Sequence, residues 1–172
     1  MKIYTFFLTL FLAGALSGCA TVTKDIEVEA ETRPGVNLAD YKTYAWLGSA
    51  EIVNDSQGNW EPPGFDSDAE LRLLINQELR GKGMREVSTK PGLLVAFAAG
   101  INMDVLKIVE DPDTKMYSFK DVPKGALVVV LIEPVTRQAV WIGSATGDVK
   151  SGRSSDEVAR RLAYAVKTMF RK

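Results

Sequence analysis

From residue 25 onward the apolar positions recur with two different periods, and the changes of period mark the elements. Asp25 to Glu31 alternates strictly, with Ile26, Val28 and Ala30 on one face and acids on the other, the pattern of a half-buried strand. The row of carboxylates has no turn geometry or neighbouring ligand to suggest a cation site, and reads as a solvated sheet face. Arg33-Pro34-Gly35 breaks this strand, and residues 41–47 predict the next, with Tyr44 and Trp46 on one side as core residues. Residues 49–65, rich in Gly, Asn, Asp and Pro, predict a loop. Ser67-Asp-Ala-Glu70 is a capping-box pattern ahead of Leu71, Leu74, Ile75 and Leu79, a helical stripe that Gly81 and Gly83 can end. Residues 93–109 alternate as a long strand through Leu93, Val95, Phe97, Ala99, Ile101, Met103 and Val105, with Gly100 as a candidate bulge. Glu110-Asp-Pro-Asp113 predicts a turn, and residues 116–119 a short return strand. The continuous apolar run 126–132 suits a central strand, residues 133–138 a turn and 139–149 its partner strand. A second capping box, Ser154-Ser-Asp-Glu157, precedes the stripe Val158, Leu162, Ala165, Val166 and Met169. Together these predict one α+β domain over residues 25–172: a mostly antiparallel twisted sheet with two helices packed on one face, in two layers.

The first eighteen residues follow a different rule. Lys2 is the only charge before position 24 and precedes an apolar run from Ile3 to Ala15, the pattern of a secretory signal peptide. The run is shorter than the ~20 residues that cross a bilayer. Leu16-Ser17-Gly18-Cys19 resembles the lipobox of bacterial lipoproteins, in which the signal is cleaved before a cysteine that carries a diacylglycerol thioether and an acylated amino group. The resemblance implies a signal segment 1–18, lipid attachment at Cys19 and a short tether over 19–24. Five extended residues, 20–24, span at most ~18 Å, so the domain should sit at the membrane surface. Ala20 follows the cysteine where Asp would favour inner-membrane retention in enteric bacteria, which implies the inner leaflet of an outer membrane facing the periplasm.

Composition removes chemistry more than it adds any. The chain has 21 Lys plus Arg against 22 Asp plus Glu, which leaves no basic footprint for nucleic acid. It has no His, so Ser-His-Asp and Cys-His arrangements are excluded, and its one Cys is the candidate lipid site. No Ser-x-x-Lys pair, Walker loop or dinucleotide fingerprint occurs. Ser151 to Ser155 could cradle an anion at a helix start, but Asp156 and Glu157 in the same turn oppose one. No metal or cofactor is expected. Loop carboxylates, Asp66 with Asp68 or Asp111, Asp113 and Asp121, are the one remaining acid–base option, on an envelope glycan.

The strings Tyr41-Lys-Thr-Tyr-Ala-Trp46, Leu79 with Lys82-Gly83, Leu93-Leu-Val95 and Trp141-Ile-Gly-Ser-Ala145 resemble the domain-of-unknown-function 4136 family of bacterial lipoproteins over nearly all of the mature chain. The resemblance implies an α+β envelope domain and assigns no reaction. Members often carry Asp near Lys90-Pro91-Gly92 and at Glu133, and Pro at Arg171, so those positions are poor candidates for catalysis.

The expected function is that of a lipid-anchored, non-enzymatic envelope domain that binds a protein or other envelope component. Its oligomeric state is open. Trp60 and Phe65 are the candidate partner contacts, because large aromatics in a polar loop need a packing or recognition role. Alternatives are a carrier of a small apolar ligand between sheet and helices, and a carboxylate glycan hydrolase. Replacing Cys19 by Ser should move the protein from the membrane pellet to the soluble fraction, whereas unchanged fractionation would count against the anchor.

Overall fold

A computed structural model describes residues 22–58, 60–102, 106–110, 117–121 and 124–172. The signal segment, Cys19, most of the tether, Met103 and Val105, and the turn at 111–113 lie outside these residues. The strands are β1 (Glu27–Thr32), β2 (Thr43–Asn54), β3 (Arg85–Glu86), β4 (Leu93–Asn102), β5 (Leu106–Glu110), β6 (Tyr117–Asp121), β7 (Lys124–Glu133) and β8 (Gln138–Asp148). The helices are α1 (Ser67–Gly81) and α2 (Ser155–Met169).

Six strands form one sheet in the order β1-β8-β7-β4-β2-β3, while β5 and β6 pair separately as a hairpin between β4 and β7. The β1–β8, β8–β7 and β7–β4 ladders are antiparallel, and β2 runs parallel to both β4 and β3. The α+β, mostly antiparallel expectation holds. The parallel β2–β4 pair adds a connection that hairpins cannot make, and α1 supplies the necessary crossover. β7, the continuous apolar run, is indeed central.

Apolar alternation sets the inner face. Leu93, Val95 and Phe97 of β4 and Leu127, Val129 and Leu131 of β7 are buried, and Tyr44 and Trp141 join them from β2 and β8. Leu71, Ile75 and Leu79 of α1 and Ala165, Val166 and Met169 of α2 close this core. Val28 is the inward residue of β1, whereas Glu27, Glu29 and Glu31 are exposed on an edge strand. The last residue is tied to β1 here, where the Lys172 ammonium donates to the Val28 carbonyl at 2.6 Å.

Four local expectations change. The long strand expected over 93–109 ends as β4 at Asn102, because Leu106–Glu110 pairs with β6 in the separate hairpin. Residues 49–54 are strand and not loop, because β2 keeps pairing with β4 as far as Asn54↔Asn102. A bulge between Trp46 and Gly48, with Leu47 turned outward, breaks the alternation and hides the strand from a period-two reading. Gly100 makes no bulge, since its register with Ile52 and Ala126 is continuous. Helix α1 is capped by Asp66 and not by Ser67: the Asp66 carboxylate accepts from the Ala69 N–H at 3.0 Å. Both residues are good caps, and the chain direction before the helix selects the earlier one. At α2 the expected reciprocal box forms, with Glu157 N–H donating to Ser154 Oγ and Ser154 N–H to Glu157 Oε2.

The capping correction is measurable. Asp66→Ala should lower stability in urea unfolding by about 1 kcal/mol, and Ser67→Ala should change it by only a few tenths. Equal losses would return the cap to Ser67.

Candidate functional site: an apolar groove over the tapered end of the sheet

Inward side chains shrink along three adjacent strands in the same direction. On β4 the series Leu93, Val95, Phe97 drops to Ala99 before Ile101; on β7 Leu131, Val129, Leu127 ends in Gly125; on β8 Trp141 gives way to Gly143, Ala145 and Gly147. Register aligns these changes. Val95, Leu131 and Trp141 lie side by side at the wide end, then Ala99, Leu127 and Ala145, then Ile101, Gly125 and Gly147. Trp141 and Met169 fill the space over Gly143 and Arg161 that over Gly147, but around Ala99 and Ala145 a groove of about 390 Å³ remains. Leu71 of α1 and Val158, Leu162 and Ala165 of α2 form its walls. Residues 60–64, Trp-Glu-Pro-Pro-Gly, form its roof. That roof is held at both ends: Trp60 N–H donates to Asp55 Oδ2 at 2.5 Å, and Gly64 is packed so close to Ser155 that a Cβ there would lie 3.2 Å from its hydroxyl.

A buried arginine paired with a partly exposed carboxylate builds the groove's inner corner. Arg161, only 8% exposed, lies in the apolar stripe of α2. Its guanidinium donates to both oxygens of Asp25 at 2.7 and 2.6 Å, to the Val22 carbonyl and to the Asp148 carbonyl at 3.2 Å. Asp25 also accepts from the Asp148 N–H at 2.8 Å. The Arg161 hydrogen bonds hold the Asp25 carboxyl well below the usual carboxylate range, against the opposing effect of burial. Gly147 is what lets the guanidinium lie flat on the sheet, since a Cβ there would approach Nη2 to 2.8 Å. Beside it, Arg153 donates to the Asp148 carbonyl at 2.9 Å, and burial, then the neighbouring Arg161 charge, lowers its affinity for its proton. Lys124 pairs with the Asp148 carboxylate.

The aromatic strings of the sequence serve the wide, filled end. Trp141 stacks on Phe170 with centroids 4.7 Å apart. Its six-membered ring covers Gly143, where a Cβ would come within 2.4 Å of the indole, so Trp-x-Gly is a packing unit. Trp46 meets Phe97 edge to face at 5.9 Å, and the Arg72 guanidinium covers Trp46 at 4.8 Å. The Tyr44 hydroxyl donates to Asn76 Oδ1 at 2.8 Å, and burial raises its pKa.

The predicted site residues are not brought together. Trp60 is half-buried and lines the groove, whereas Phe65 is half-buried outside the groove lining. Leu16, Ser17, Gly18 and Cys19 lie outside the described residues. Asp66 is spent on the helix cap. Asp68 forms an ion pair with Arg72 at 2.7 Å, and hydrogen bonds from Ser49, then Arg72, lower its pKa, so it does not hold a proton for general-acid work near neutrality. Asp111 and Asp113 lie outside the described residues, and among those described no group of three or more His, Cys, Asp or Glu converges on a metal position. Glu133 is occupied by Thr136 at 2.7 Å and Arg33 at 3.8 Å. Arg161 and the taper were missed by periodic reading, although an arginine inside an apolar helical stripe and glycines at inward strand positions are both visible signals.

A six-stranded sheet with both helices on one face and these aromatic strings in its core defines a small two-layer α+β class. The chain belongs to the family described as Domain of unknown function (DUF4136), whose model matches residues 28–172. Among solved structures it is similar to a DUF4136 family protein from Bacteroides thetaiotaomicron VPI-5482, with TM-score 0.55 and 12% identity, covering 86% of this chain and 95% of that one. It is also similar to a PDZ domain protein from Parabacteroides distasonis ATCC 8503, with TM-score 0.50 and 14% identity, covering 90% of this chain. The chain spans 38% of the length of that second protein. Identities this low carry the fold and no more. No curated protein matches the chain.

The charge pair has a pH signature. Because the Asp25 pKa is lower folded than unfolded, its stabilisation is fully present above the ordinary carboxylate range and is lost as pH falls below it. Asp25→Asn should cost about 2–3 kcal/mol at pH 7, and that difference should shrink as unfolding is measured at progressively lower pH through the acid range. A pH-independent difference would mean that packing and not charge is responsible.

Proposed function

We propose that this protein is a lipid-anchored envelope lipoprotein, held at the inner leaflet of the outer membrane, whose non-enzymatic periplasmic domain binds a small apolar ligand. The observation that carries the reading is the 390 Å³ groove, a size within the ~300–1,000 Å³ range of small-molecule sites. Its floor of Ala99, Gly125, Leu127 and Ala145 is apolar, and the strands supply it by the coincident taper of three inward faces. Lipid anchoring draws on the Leu-Ser-Gly-Cys19 string after a signal-like run. The absence of His, together with the engagement of Asp66 and Asp68 in a cap and an ion pair, supports binding over hydrolysis. A protein-contact role for Trp60 and Phe65 draws less support, because both are half-buried and Trp60 borders the groove.

An apolar fluorescent reporter, N-phenyl-1-naphthylamine, tests the groove directly. The full-length protein should bind about one reporter saturably, and Ala99→Phe, which fills the floor, should abolish the enhancement with the thermal midpoint retained. Absence of saturable binding by the wild-type protein would overturn the reading.

A further inference from the structure

Two facts about the groove, taken together, narrow its ligand. The first is chemical. The floor side chains are alkyl groups or glycines, and the one buried polar side chain at the site, Arg161, has four of its five guanidinium N–H groups committed to Asp25, Val22 and Asp148. A ligand lying on Ala99, Gly125, Leu127 and Ala145 therefore meets no side-chain donor or acceptor there, and any polar atom it carried to that floor would lose its hydration without compensation. Hydrocarbon fits; a glycan or a peptide backbone does not. Charges at the mouth have both signs, Lys150 and Arg153 against Glu51 and Glu61, while Asp148 is paired with Lys124. They select no net charge in whatever group stays outside.

The second fact is positional. Arg161, which lines the groove, holds the Val22 carbonyl and the Asp25 carboxylate. Cys19 precedes Val22 by three residues, which span at most ~11 Å fully extended. A lipid on Cys19 thus enters the bilayer within ~11 Å of the residue that Arg161 grips. The groove is therefore kept at the membrane interface by the same side chain that builds its inner corner, and the hydrocarbon abundant at that interface is the acyl chain of bilayer lipid.

We infer that the groove accommodates one acyl chain of a phospholipid drawn from the membrane to which the protein is tethered, with the headgroup left at the mouth. This rests on the groove being a ligand site and names the class of ligand. The chain enters beneath the Trp60–Gly64 roof and lies along Ala99, Leu127 and Ala145, and it ends against Gly125 and the Arg161 guanidinium that covers Gly147.

The test uses the full-length lipoprotein in vesicles of phosphatidylethanolamine and phosphatidylglycerol that contain a phospholipid bearing a diazirine at one acyl terminus. After irradiation, adducts should map to peptides containing Leu127, Ala145 and Leu162. They should fall at least about fivefold in Ala99→Phe and, independently, in Gly125→Val, because both variants fill the floor. Circular dichroism and the thermal midpoint of each variant establish that it is folded, and two positions guard against one that is not. Adducts confined to residues outside the groove, or undiminished in both folded variants, would overturn the inference. So would labelling that appears only in a secreted Cys19→Ala chain, since that would show the groove filled by the protein's own lipid. Binding of the naphthylamine reporter without acyl labelling would remove the ligand class and leave the groove reading intact; loss of both would remove both.

Discussion

A guanidinium withdrawn from water must find acceptors for its donors, and the Arg161 site is arranged around that requirement. Four acceptors come from three separate places: both Asp25 oxygens, the Val22 carbonyl before β1 and the Asp148 carbonyl at the end of β8. Satisfying them sets the position of the segment before β1, the end of the sheet and the middle of α2 relative to one another. It also determines the residue at 147, where only glycine leaves space for the guanidinium. An isolated hydrophobic residue at 161 could pack well, but it would have no means of gripping the backbone of the chain's N-terminal segment. The cost of burying the charge is thus spent on geometry, the use for which buried ion pairs are best suited.

The two ends of the sheet divide the work. The wide end carries Trp141 on Gly143, Phe170 on Trp141 and Leu131 between Val95 and the indole, a filled core that accounts for stability. The tapered end is loosely filled and bordered by Arg161 and the Trp60 roof. Every aromatic string by which the chain resembles its family lies in or beside the filled core, which explains why membership identifies the fold and is silent about a reaction. Residues such as Tyr44, buried with its hydroxyl on Asn76, are chemically occupied in holding the sheet to α1.

Much of this architecture was legible along the chain. The alternation in β1, the inward series Leu93-Val95-Phe97, the central run of β7 and the stripe of α2 each follow from period alone. The second half of β2 did not, because a bulge at Leu47 inverts its phase and its partner lies some fifty residues away. The cap at Asp66 needed the direction of the incoming chain. The groove was harder still. Ala99, Gly125 and Ala145 are unremarkable one at a time, and only the register, which puts them in one patch, turns three small residues into a space. Arg161 was visible as an arginine on an apolar helix face, but its partners stand 136 residues earlier and 13 residues earlier, and no local pattern couples them.

Ala99, Gly125 and Ala145 leave apolar strand surface uncovered beneath the helices, which forgoes ~25 cal/mol for each Å² not removed from water. Two outcomes are physically consistent with keeping them small: the groove opens to solvent and is wetted, or it is filled by something other than the protein. An apolar floor beside an arginine with four of its five donors committed offers water few partners, and ordered water needs two to four of them. Filling by an apolar ligand removes that surface from water without altering the sequence, and the tether proposed at Cys19 would hold that ligand's source near the corner of the groove that Arg161 builds.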